Sequence, residues 1–230
     1  MAGRPDTRII IIVIAVAALV AASALGYWAY SGHKKREFDK TILTLAADTG
    51  TRLRDALAIE TAPPTADRGS FLRKLDGHAA TLDRNLKTLR GSGSGSNLAL
   101  TDAADDYLLT AREILKRQAD SRRHRLLLQD SARALREHMR ADNRSGAWVR
   151  QAVEAKNRVN TNYHAYVQAS DALDLLLGTL RASQAKIAPY VAPDLLIADG
   201  VIDEARRRAR EDKNHTAAEF ERLQRIGASR

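Results

Sequence analysis

The spacing of apolar residues divides this chain into one uncharged run followed by five amphipathic stretches. From Ile9 to Tyr30 no charged residue occurs. An apolar stretch of about 20 residues matches the ~30 Å hydrocarbon core of a bilayer. Tyr27, Trp28 and Tyr30 stand at its far end, where rings that are apolar in body and polar at the tip suit the headgroup boundary. Arg8 closes the run on one side, and His33, Lys34, Lys35 and Arg36 close it on the other. Residues 1–8 therefore read as a short flank and 9–30 as a transmembrane signal anchor. A cleaved secretory signal is the competing reading, with Ala22-Ser23-Ala24 as the small-residue triplet. The apolar run continues past that triplet, which favours the anchor.

Beyond the run the apolar positions recur every three or four residues. The clearest case is Phe71, Leu75, Ala79, Leu82, Leu86 and Leu89, a spacing that holds one stripe on one side of a helix. Phe38, Ile42, Leu45, Leu53 and Leu57 mark an earlier stripe, ended by Pro63-Pro64. A third runs from Leu100 through Tyr107, Ile114, Arg125, Leu128 and Leu135 to Met139, and a fourth from Val149 through Lys156, Val159, Tyr166, Leu173 and Leu180 to Ile187. Ile202, Ala205, Ala209, Thr216, Phe220 and Leu223 mark the last. These patterns predict helices over about 33–61, 66–90, 97–141 and 146–188 in a bundle spanning 31–192, then an amphipathic helix within 193–230. The Gly-Ser tract at 91–96 is a flexible linker by composition, natural or introduced.

The fold expected is all-α: a single N-terminal transmembrane helix, then an elongated antiparallel four- to five-helix bundle with a protruding coiled-coil hairpin. At ~1.5 Å per residue the first two helices reach ~40 Å outside the membrane and the next two ~65 Å. The longer pair should therefore overshoot between about Arg125 and Asn160, carrying Leu126, Leu127, Met139, Trp148 and Val149. A two-helix arm buries less than a bundle, so these apolar residues call for a cover: the last helix, a second copy, or another protein. They are the candidate partner-binding surface. At the middle of the same hairpin Arg125 and Lys156 occupy stripe positions where apolar residues are expected, beside His124, Gln129, Asn157 and Asn160. This band reads either as a solvated level or as a cationic pocket for a small anion.

Charge and composition narrow the functions available. The net charge is +9 with 5% aromatic residues and no Cys, which removes disulfide frameworks, zinc–thiolate sites and thiol catalysis. Acidic and basic residues are interspersed; even Arg206-Arg207-Arg208 with Arg210 is flanked by Asp203, Glu204, Glu211 and Asp212. Those carboxylates would pair along the helix or repel phosphates, which argues against nucleic acid as a partner. No Glu-x-x-His occurs for a di-iron bundle, and the nearest pattern is Asp212-x-x-His215. His78 and His164 neighbour stripe positions and read as boundary histidines. Without a phosphate loop, a nucleophile elbow or paired carboxylates, no enzyme and no cofactor are expected.

In outline the pattern resembles the sensory bundles of bacterial transducers, a membrane helix followed by long antiparallel helices. No later segment offers the second span that signalling by helix displacement would need, so the resemblance stops at topology. The expected function is a membrane-anchored scaffold or adaptor that docks a partner protein, or a second copy, through the coiled-coil arm. The alternatives are a sensor-like ligand-binding bundle and a binder of anionic lipid or cell-envelope polymer. The expected location is a bacterial inner membrane, single-pass, with the helical domain periplasmic. A cytoplasmic-facing domain, or secretion after cleavage, is the other possibility.

Overall fold

The computed structural model describes residues 7–59, 68–91, 97–141 and 145–228, with side chains described within 30–225. Among these residues there are five α-helices and no strand: α1 Thr7–Ile59, α2 Arg68–Gly91, α3 Leu98–Arg140, α4 Gly146–Ile187 and α5 Asp199–Ala228. A short 3-10 turn, Pro193–Leu195, joins the last two. The all-helical expectation therefore holds. The expected turns at 62–64, 92–96 and 142–144 lie outside the described residues. Helical backbone runs through residues 9–30 within α1, but the side chains before Tyr30 also lie outside the description. Among the described residues no helix is long and apolar enough to cross a membrane.

Two helix starts are set by side chains that take up otherwise unpaired amides. Asn97 Oδ1 accepts from the Leu100 N–H at 3.1 Å and opens α3. Ser145 Oγ accepts from the Trp148 N–H at 3.2 Å and opens α4. Along each helix most of the predicted stripe lies on the buried face, Val149 at the start of α4 being the exposed exception. Leu75, Ala79, Leu82, Leu86 and Leu89 of α2 are all buried, as are Leu100, Ala104, Tyr107, Ala111 and Ile114 of α3. Full burial of one such leucine stabilises by roughly 1.5–3 kcal/mol, so the stripe alone decides which face turns inward.

Cross-helix pairs fix the directions. Asn85 of α2 donates to Asp48 of α1 at 2.9 Å, and Arg52 of α1 reaches His78 of α2 at 3.4 Å, so these helices are antiparallel. Arg90 with Asp105, and Arg123 with Asp76, make α2 and α3 antiparallel as well. It follows that α1 and α3 run the same way, and Gln118 Nε2 of α3 donates to the Ala56 carbonyl of α1 at 3.1 Å. Lys186 pairs with Asp106 at 2.8 Å, and Asn162 donates to the Leu127 carbonyl at 3.2 Å, so α4 returns along α3. Finally Arg181 meets Asp199, Arg206 meets Asp174, and Gln224 donates to Asn160, which lays α5 antiparallel on α4.

The chain between α4 and α5 is held against α1. Arg54 donates to the carbonyls of Asp194 (2.7 Å) and Leu196 (3.1 Å). Gly50 lets the two backbones touch, because a Cβ built there would stand 2.1 Å from the Leu195 carbonyl oxygen. One apolar core joins all five helices around Ile42, Leu53, Leu82, Leu115, Leu177 and Ile202. A second, smaller core lies farther along the α3/α4 hairpin, made of Leu128, Leu135, Ala155 and Val159 with Met139, Tyr163, Phe220 and Leu223 packed on it. Phe220 and Leu223 belong to α5. The hairpin beyond α1 and α2 is thus covered, on one face, by the last helix of the same chain.

Candidate functional site

The outer hairpin is built around α3 from Arg125 to Arg140 and α4 from Gly146 to Asn160. At its tip two rings close the turn. The His138 and Trp148 rings stack with centroids 4.9 Å apart and planes 17° apart. Trp148 Nε1 donates to the His138 carbonyl at 3.1 Å, and His138 Nε2 stands 2.9 Å from the Trp148 carbonyl. A carbonyl only accepts, so His138 carries a proton on Nε2. Trp148, read from the sequence as a docking residue, is therefore half-consumed by the turn itself.

The other predicted docking residues divide between three environments. Met139 packs on the outer core, and Leu126 is half-buried. Leu127 and Val149 remain free, 51% and 48% exposed. The sequence reading missed Val153, which is 54% exposed and stands one turn after Val149. The signal was present as an i, i+4 pair, but Val153 lies off the main stripe. Leu127 does not join these two valines: it follows Arg125, which meets α5, by two residues and so lies on the opposite side of α3, whereas Val153 and Val149 precede Asn160, which touches α5, by seven and eleven residues. Positions so spaced share one helix face. The exposed apolar residues thus lie on two sides of the arm.

The polar band contains its own counter-ion. Arg125 pairs with Asp212 of α5 at 2.5 Å, and the Tyr166 hydroxyl donates to the other Asp212 oxygen at 2.9 Å. Burial pushes the Tyr166 phenol upward, and the Asp212 charge adds to that. Arg125 is therefore not an open cation waiting for a ligand. Lys156, the other residue of the expected anion pocket, is half-buried on α4. Earlier on α5, Arg206 and Arg210 both donate to Asp174, and the Arg206 bond foremost holds that carboxyl below the usual range. Arg207 and Arg208 pair along α5 with Glu204 and Glu211.

No family model matches the chain, nor does any curated protein or solved structure. The site is therefore read from its geometry alone.

Other places offer less. An open hollow of about 490 Å³ lies between α2 and α3 near Leu89, Thr101, Asp102 and Leu109, but Arg90 already pairs with Asp105 and Lys186 with Asp106. His78 is half-buried, and burial together with Arg52 lowers its pKa. His164 is exposed, edge-on to Tyr163, and His215 faces Glu219 at 3.5 Å. Among the described residues no group of three His, Asp or Glu side chains could hold a metal. At the other end of the molecule Tyr30, Lys34, Lys35 and Arg36 are exposed, with the Lys34 ammonium 4.8 Å from the Tyr30 ring centroid. Tyr27 and Trp28 lie outside the described side chains.

Proposed function

We propose that the protein is a membrane-anchored helical scaffold or adaptor, which presents the outer α3/α4 hairpin to a partner at a fixed distance from the bilayer. The observation that carries this reading is the exposed Val149–Val153 pair at the far end of the chain from the uncharged 9–30 run. Exposed single apolar residues are ordinary, whereas a contiguous patch at the end of a lever has a use. The lever is stiff, because α1 continues unbroken from the apolar run to Ile59. At ~1.5 Å per residue, Tyr30 to Ala56 and then Gln118 to Arg140 span about 70 Å. Lys34, Lys35, Arg36 and Lys40 outnumber Arg4 and Arg8, but long domains cross largely regardless of their charge, and the helical domain is read as exported, as in a bacterial-type inner membrane.

The test places a photo-crosslinking amino acid at Val149 in the full-length chain in native membranes, with the exposed Leu175 as the control position. A defined adduct from Val149 and none from Leu175 supports docking through the arm. Equal labelling at both sites, or none at either, overturns it. Protease digestion of intact cells reads the orientation independently.

A further inference from the structure

We propose that the groove between α3 and α4 filled by α5 continues past the end of α5 as a docking site for an acidic amphipathic helix of a partner protein. This rests on the adaptor reading above and adds the chemistry of the partner. The α5 contacts on α4 run along one face from Asp174 through Asp171 and Tyr163 to Asn160, where Gln224 binds. Extrapolated at the same register, Ala228 falls opposite about Lys156. The same face carries on through Val153 to Val149, and both side chains are about half exposed. On α3 the residue that α5 uses is Arg125; Arg136 and Arg140 follow it by eleven and fifteen residues, on the same side of the helix. The groove therefore extends for some two turns with valines on one wall and arginines on the other.

Charge says what fills it. In the covered stretch an arginine of this wall meets a carboxylate of the helix lying in the groove, Arg125 with Asp212. In the open stretch Arg136 and Arg140 are exposed and, among the described residues, meet no carboxylate. Between Ala132 and Asn160 seven Lys or Arg stand against three Asp or Glu, so +4 of the total +9 is gathered in this tip. An occupant that repeats the α5 solution must present apolar residues to Val149 and Val153 and carboxylates to Arg136 and Arg140. A second copy does not supply this, because the helix that carries this chemistry, α5, already engages its own hairpin through Asp212, Phe220 and Leu223.

The experiment uses the full-length chain in detergent, with Trp28→Phe leaving Trp148 as the sole tryptophan reporter. The probe is a synthetic three-heptad helix with Leu in its apolar stripe and Glu on its flanks; its twin carries Lys in place of Glu. The acidic probe should change Trp148 fluorescence at least tenfold more tightly than the Lys twin. The double variant Arg136→Glu with Arg140→Glu should invert that order, Val153→Asp should abolish binding, and Leu127→Ser, on the other face, should change nothing. No binding of either probe, equal binding of both, or an effect of Leu127→Ser equal to that of Val153→Asp overturns the proposal. So does sedimentation with phosphatidylglycerol vesicles that needs Arg136 and Arg140 while the acidic probe fails, or a dimer in ultracentrifugation that Val153→Asp dissolves. A Val149 photo-adduct to a partner without an acidic helix would sink this inference and leave the adaptor reading standing.

Discussion

At the scale of single residues, Gly50 shows how one position can invert a propensity rule. An alanine in a helix interior is ordinarily favoured over glycine by about 1 kcal/mol. At Gly50 the new methyl would press on the Leu195 carbonyl, which is backbone and cannot swing away. Gly50→Ala should therefore destabilise, by about 1–3 kcal/mol, as overpacking does; urea denaturation checks it, and Gly77→Ala on the open side of α2 should show the ordinary gain. Beside Gly50 the Tyr107 hydroxyl is buried and makes no hydrogen bond. Removing an unsatisfied buried hydroxyl is neutral or favourable, so Tyr107→Phe should hold or raise the melting temperature. Burial pushes the Tyr107 phenol up to about 12 from an ordinary 10.0. A raised value in the fold means stability fully present below pH 10 and lost as pH climbs towards 12. The melting temperature of the parent should thus fall over that window more steeply than that of Tyr107→Phe. None of this was legible in the sequence. No local pattern marks Gly50, because its neighbour Leu195 is brought there only by the return of the chain after α4.

At the scale of elements, the question is what holds α5 against the arm. Stacking of Phe220 on Tyr163, with centroids 3.9 Å apart, and the Arg125–Asp212–Tyr166 group lie at two levels of the same contact. Phe220 is half-buried, so Phe220→Ala should cost about 2 kcal/mol, less than the ~3–5 of a fully buried phenylalanine. Hydrogen exchange should show the loss confined to the last turns of α5 and the outer hairpin. Asp174 adds a pH dependence. Its depressed value means a contribution present above the ordinary carboxylate range and lost as pH falls through the lower one. Protection of α5 should therefore weaken on acidification below about pH 4, and Asp174→Asn should remove that acid limb. The stripes on α2, α3 and α4 were legible because burial repeats with the helix period, and the overshoot of the α3/α4 hairpin followed from helix lengths. The place of α5 was not. Arg125 looked solvated because the carboxylate that meets it sits on a helix whose docking is written in long-range pairs, to which local periodicity is blind.

At the scale of the whole molecule, anchoring and charge make separate and separable claims. A chain of net charge +9 can adhere to an anionic bilayer through its surface alone, and such adhesion is screened by salt within a Debye length of about 3 Å at 1 M. A buried span of the 9–30 run is indifferent to salt, since its free energy comes from apolar burial. The proposal therefore predicts that the full chain stays with the membrane pellet through 1 M salt and alkaline carbonate, and leaves it only in detergent. Reversing the tip charges with Arg136→Glu and Arg140→Glu should not alter that partition, although it should abolish recognition by an acidic helix. If high salt alone released the chain, the lever would have no fulcrum: the arm would still be a docking surface, but its height above the bilayer would cease to mean anything. The same measurement so decides whether the stiffness of α1 is a functional property or only a consequence of helix continuity.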